Sequence, residues 1–126
     1  MIDPSTFQYR DSRWQDLYFH LKNKGFEVYA PGQHEGECKS KYIIVKFDGT
    51  VNIFGFSSRR DLYNIMCYVP QKNYSELDGF VQDVRAAMSE IRPLFLQYDE
   101  QPSFFSYDEA ARAHYVSIEY CNIKKN

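Results

Sequence analysis

Three cysteines in 126 residues, Cys38, Cys67 and Cys121, are odd in number, far apart and in no C-x-x-C pair. That pattern argues against a disulfide framework and for reduced thiols in a reducing compartment. No run approaches the roughly 18 apolar residues of a membrane span, and the opening Met-Ile-Asp-Pro-Ser-Thr has neither the basic nor the apolar region of a secretory signal. The chain is therefore expected to start in the cytoplasm, without a membrane partner. A dominant sign of charge is missing too. Fifteen Lys and Arg stand against seventeen Asp and Glu, a net charge of −2, and neither sign forms a block able to hold a phosphate backbone. Glycine-rich phosphate cradles are absent, because Pro31-Gly32 and Gly49 stand alone and neither opens a helix.

What is abundant is aromatic. Eleven Tyr, ten Phe and one Trp make up 17% of the chain, well above ordinary usage. Tyrosines fill a core while satisfying their hydroxyls at its rim, and they are enriched at protein interfaces. The length fits one domain, residues 1–126, able to bury about two-thirds of its unfolded surface.

Periodicity predicts the elements. Helix starts are signalled at Asp3-Pro4 and Asp11-Ser12; Trp14, Leu17, Tyr18 and Leu21 then form one apolar stripe, and Gly25 supplies the left-handed stop. Phe26 to Tyr29 reads as a short strand, and Gly32 to Lys41 as a polar, flexible loop. Lys41 to Phe47 is a strand, Asp48-Gly49 a hairpin signal, and Thr50 to Phe56 the return strand. Asp61 to Val69 is apolar on both faces and belongs at the centre of the sheet, ending at Pro70. Ser75, with Asp78 three residues on, caps a helix whose buried face is Leu77, Phe80, Val81, Val84, Met88 and Ile91. Leu94 to Tyr107 reads as an irregular aromatic wrap, and His114 to Ile123 as a last strand before an exposed Lys124-Lys125-Asn126 tail. The expected fold is α+β: one mostly antiparallel sheet with two helices packed on one face, the other face being left as an interface.

Candidate chemistry is sparse. His34 and Cys38, with Glu35 and Glu37 nearby, have no second ligand pair and no orienting third group, so neither a metal site nor a thiol nucleophile is expected there. Asp99, Glu100, Asp108 and Glu109 are explained by a polar loop between buried aromatics. Arg59-Arg60 reads as a salt-bridging strand turn. No cofactor, metal or catalytic residue is assigned, and the chain is not expected to be an enzyme.

The stripe Trp14 to Leu21, the strand Tyr42-Ile-Ile-Val45 after a polar loop, the run Leu62 to Pro70 ending Cys67-Tyr68-Val69-Pro70, the helix start Tyr74-Ser-Glu-Leu-Asp78 and the terminal strand Tyr115 to Tyr120 together resemble the tail-terminator or tail-completion proteins of long-tailed bacteriophages and phage-tail-like particles. The resemblance covers roughly residues 8 to 125. It implies a structural virion protein: an αβ sandwich, six copies of which form a ring that caps the last layer of tail-tube protein and faces the head-tail connector or collar. It further implies assembly in the host bacterial cytoplasm, then residence in the virion or particle. The aromatic tract from Phe104-Phe105 to Tyr107 has no counterpart in it. The return strand, through Ile53, Phe54 and Phe56, and the following Arg59 and Arg60 are the expected subunit or tail-tube interface. Other phage neck or head-closure proteins, and a small cytoplasmic binding or immunity module, are the alternatives.

Overall fold

The computed structural model describes residues 13–52, 58–91, 95–97 and 104–125. Among the described residues two helices, α1 (Arg13–Asn23) and α2 (Leu77–Ser89), pack against a sheet of six strands: β1 (Val28–Tyr29), β2 (Tyr42–Asn52), β3 (Ser58–Pro70), β4 (Leu96–Gln97), β5 (Ser106–Asp108) and β6 (Ala113–Lys125). The order is β1-β2-β3-β6-β4, with β5 also paired to β6. Only the β1–β2 pairing is parallel; the rest are antiparallel. This is the α+β architecture expected from the periodicity, with the Asp61 to Val69 segment central as predicted.

Register divides the side chains between two faces. Ile43, Cys67 and Val116 lie side by side across β2, β3 and β6, as do Val45, Ile65 and Ile118, and Phe47, Tyr63 and Tyr120. All of these but the exposed Phe47 join Leu17, Leu21, Leu77, Phe80, Val84 and Met88 from the helices in the main core. Phe95 joins it fully buried, its ring edge-on to Tyr63 at 5.4 Å. Rows on the opposite face are Tyr42–Tyr68–Tyr115, Ile44–Met66–Ser117 and Lys46–Asn64–Glu119.

Helix α1 stops as its glycine predicts. Gly25, at φ 95°, lets its N–H donate to the Lys22 carbonyl while Phe26 N–H reaches back to Leu21, the double closure of a helix ended by a left-handed residue. The Trp14 indole N–H donates to the Val45 carbonyl at 2.7 Å, and His20 Nε2 lies 2.8 Å from the Ala87 carbonyl, tying α1 to the sheet and to α2.

Several expectations are corrected. Asp48-Gly49 makes no hairpin: β2 continues to Asn52, and the register shifts between Phe47 and Gly49. Gly49, at φ 123°, absorbs a β-bulge that leaves Asp48 as the extra residue. Thr50 to Asn52 therefore belong to the outgoing strand, and the rest of the expected return strand lies outside the described residues. Ser75 caps nothing. It sits in a 3-10 helix, Gln71–Glu76, and α2 begins after Glu76 with no side-chain cap bond. Lys124 and Lys125 form no tail; they pair within β6 against Arg59 and Ser58. The segment from 94 to 107 contributes the two short strands β4 and β5 rather than only wrapping. The helix starts at 3–4 and 11–12 lie outside the described residues.

Phe80 is almost fully buried in α2 and packs on Phe26 with ring centroids 6.0 Å apart, so Phe80→Ala should lose about 3–5 kcal/mol of stability. Gln82→Ala, on the exposed face of the same helix, should change stability by less than about 0.5 kcal/mol. Urea unfolding of both variants checks this pair, and equal effects would overturn the assignment of the buried face.

Candidate functional site

The loop after β1 is mostly exposed, as expected of a solvated segment, but Cys38 and His34 within it are anchored on the sheet. Cys38 is buried, its N–H donating to the Ala111 carbonyl at 2.7 Å and its Sγ lying 3.3 Å from the Ser40 carbonyl. His34 stacks on Tyr42 at 4.1 Å, Tyr42 on Tyr68 and Tyr68 on Tyr115, each of the last two at 4.9 Å. This four-ring ladder, with Cys38, Ala111 and Ala113, makes a second core on the face that carries no helix. The end of that face nearest Tyr42 is thus closed by the chain itself, which narrows the interface expected there.

Chemically this corner is quiet. Burial pushes the Cys38 thiol up to about 11, so at neutral pH it is not a thiolate. His34 and Cys38 are turned to different partners. A groove of about 440 Å³ runs past Glu37, Cys38, Lys39, Pro70, Gln71 and Lys72. Among the described residues, no three His, Cys, Asp or Glu side chains gather as a metal site would need. Of the acidic candidates, Asp108 accepts from the Ala111 N–H at 3.1 Å and from the Tyr68 hydroxyl at 3.4 Å, and Glu109 is exposed beside it. Asp99 and Glu100 lie outside the described residues. No described helix is long and apolar enough to cross a membrane.

Two surfaces do stand out, at opposite corners of the sheet. The first is the far end of β2, β3 and β6. Of the residues expected to form an interface, Ile53, Phe54 and Phe56 lie outside the described residues; Arg59 and Arg60 are inside strand β3 rather than in a turn. The pairing sets Arg59 directly opposite Lys124, Arg60 opposite Ile123 and Ser58 opposite Lys125, so two basic pairs 65 positions apart in sequence meet at one sheet end. Asp61 is buried here, accepting from the Thr50 hydroxyl at 2.8 Å and from Arg59 Nε at 3.3 Å. Phe47 and Val51, 49% and 44% exposed, flank this end on β2. Beyond Ile44 no described strand pairs with the outer edge of β2.

The second surface was the tract without a counterpart. Phe104 is 93% exposed, and Tyr74, Phe105 and Tyr107 are between 43% and 50% exposed. Tyr74 meets Phe105 edge-on at 5.9 Å and His114 at 4.7 Å, and His114 meets Tyr107 at 5.0 Å. An open cleft of about 660 Å³ beside them is lined by Gln71, Tyr107, Glu109, Ala110 and Arg112. Arg112 holds a left-handed φ of 50°, uncommon for a non-glycine residue; its carbonyl accepts from the Gln71 N–H at 3.0 Å. Sequence reasoning treated these aromatics as buried wrapping. No local signal separates them from buried aromatics, since Tyr107 is exposed even from within strand β5.

The buried hydroxyls and thiol set a pH response. Burial raises Tyr63 and Tyr68 to about 12, the Asp108 carboxylate adding to the effect at Tyr68, and it raises Tyr42 as well. A folded-state value above the unfolded one means stability is full below the unfolded value and is lost as pH rises toward the folded value. The unfolded values are 9.0 for Cys38 and 10.0 for the tyrosines. Urea midpoints should therefore hold steady from pH 7 to about 9 and fall steeply between about 9 and 12. A flat profile to pH 11 would contradict the burial of these rings.

No family model matches the chain, and no curated protein sequence matches it.

Proposed function

We propose that the chain is a structural part of a bacteriophage tail or phage-tail-like particle, a tail-terminator or tail-completion subunit. In this reading copies of it, six as the resemblance implies, close into a ring that seats on the last layer of tail-tube protein and offers another face to the head connector or collar. Assembly takes place in the cytoplasm of the host bacterium.

The observation that supports the reading most directly is the element order on which the resemblance rests. Helix, strand, two long strands, helix and terminal strand follow one another as α1, β1, β2 and β3, α2 and β6, with the expected hairpin at Asp48-Gly49 replaced by a bulge in β2 and the short β4 and β5 added along β6. Its anchor residues Leu17, Leu21, Ile43, Val45, Cys67, Val69, Leu77, Val116 and Ile118 meet in one core. A second support is physical. An edge strand with exposed Phe47 and Val51 and no described partner is a template for pairing with another chain, and such edges are normally hidden or blunted. Arg59 and Arg60 stand next to it in register with Asn52 and Val51, and arginine is enriched in protein interfaces.

The experiment is complementation in the particle. Particles made without this protein should carry tails of irregular length that fail to join heads. The wild-type chain and Gln82→Ala should restore them, and Arg59→Glu/Arg60→Glu, shown to be folded by circular dichroism, should not. Tails of normal length joined to heads in the absence of the protein would overturn the proposal.

A further inference from the structure

We propose that Arg112 is a receptor for a carboxylate, and that the cleft it lines takes an acidic segment of a partner protein with aromatic side chains next to its carboxylates. The site goes beyond the tail reading, whose edge strand and basic residues lie at the other corner of the sheet.

Arg112, at φ 50°, is the one described non-glycine residue with a positive φ, a region in which Cβ is crowded and which glycine enters freely. Hydrogen bonds fix that conformation from both sides. Arg112 N–H donates to the Glu109 carbonyl at 3.3 Å, and its own carbonyl accepts from the Gln71 N–H at 3.0 Å. The preceding Ala111 is held as well, its carbonyl accepting from the Cys38 N–H at 2.7 Å and its N–H donating to Asp108 Oδ1 at 3.1 Å. Any residue at this position would take the same φ, and a glycine would do so with less strain. What an arginine adds here is its guanidinium, and backbone strain of this kind is concentrated at binding sites. That side chain is exposed and takes no part in an ion pair or hydrogen bond among the described residues, not even with Glu109 on the same rim.

The cleft supplies the rest of the recognition. Its volume is about 660 Å³, and Arg112, Gln71, Tyr107 and Ala110 line it together with Glu109. The Tyr107 hydroxyl donates to Gln71 Oε1 at 3.3 Å, which leaves the Gln71 NH2 as a donor near the planar guanidinium fork, a combination suited to the two oxygens of a carboxylate. Phosphate fits less well. Phosphate cradles are built from free backbone N–H groups, and here those of Gln71, Ala111 and Arg112 are already used. Charge points the same way. Across this cleft and the neighbouring groove that shares Gln71, the basic Lys39, Lys72 and Arg112 outnumber the acidic Glu37 and Glu109, in a chain whose net charge is −2.

The preference for aromatic neighbours comes from the other wall. From Tyr107 a row of rings in contact runs through His114 and Tyr74 to Phe105, at 5.0, 4.7 and 5.9 Å, and Tyr74, Phe105 and Tyr107 are all exposed. Rings packed this closely enclose no cage for an ammonium group, which would have to sit over their faces. They form a terrace on which the rings of a ligand can pack edge to face.

Amide NMR titrations with three peptides and with inorganic phosphate test the site. Acetyl-Glu-Phe-Glu-Phe-Glu-amide should move the resonances of Gln71, Tyr107 and Arg112 and bind about tenfold more tightly than acetyl-Gln-Phe-Gln-Phe-Gln-amide, the margin expected of a hydrogen-bonded charge. Acetyl-Glu-Ser-Glu-Ser-Glu-amide, which lacks rings, should bind several-fold more weakly than the first peptide. Arg112→Gly should unfold at the same temperature as the wild type or a higher one, lose about tenfold in affinity for the acidic aromatic peptide and keep its affinity for the Gln counterpart. Absence of binding, shifts centred elsewhere on the sheet, or equal binding with and without carboxylates or with and without rings would each overturn the proposal. So would an Arg112→Gly variant that binds undiminished or unfolds at a clearly lower temperature, since the arginine would then serve the fold. Inorganic phosphate that moves the same resonances and displaces the peptide would make this a small-anion site and overturn its assignment to a protein partner.

Discussion

The register that sets Ile43, Cys67 and Val116 side by side governs everything else in the molecule. Strand residues alternate between faces, so a slip of one position would exchange the two sides of the sheet completely. Here both faces carry large apolar residues, and simple alternation does not choose between them. The choice falls to the row Lys46, Asn64 and Glu119. Under α1 and α2 the Lys46 ammonium would be stripped of water against Leu17, Leu77 and Met88, at a cost of several kcal/mol in unmet hydration, whereas Asn64 Oδ1 and Glu119 Oε2 are buried even on the face away from the helices. Facing away from the helices, Lys46 reaches Asp48 at 3.4 Å and keeps its charge solvated.

The bulge at Asp48 then changes what the far end can be. Val51 has the same parity as Ile43, Val45 and Phe47 and would continue their row on the helix side. One extra residue shifts it to the other face, opposite Arg60, and brings Thr50 opposite Asp61 instead. Thr50 can therefore donate to a carboxylate that is otherwise buried in a sheet, and a buried carboxylate without such donors is strongly destabilising. A single backbone irregularity thus both satisfies Asp61 and sets the apolar Val51 opposite Arg60.

The two faces end up with different duties. One is sealed by helices. The other is sealed at the Tyr42 end by a ladder of stacked rings and the loop that carries Cys38. The polar and charged rows lie further along, and the aromatic surplus that the core does not absorb collects at the β5 corner. Apolar area that a fold of this size leaves in water at two separate places is the physical basis for reading the chain as a part of an assembly.

Much of this was legible in the residues alone. The stripe of α1, its glycine stop, the buried face of α2 and the central place of Leu62 to Val69 follow from periods of 3.6 and 2 and from the φ that glycine permits, which are local properties. Long-range pairing decided the rest. Asp48-Gly49 satisfies a turn and a bulge equally well, and only the partner strand selects between them. Ser75 is a competent cap, but Pro70 is followed by a 3-10 turn whose backbone leaves it no helix end to close. Cys38 looks like loop chemistry until the Ala111 carbonyl holds its backbone in place. The meeting of Arg59 with Lys124 is the clearest case, since nothing local in either segment refers to the other; only the antiparallel register of β3 and β6 brings them together.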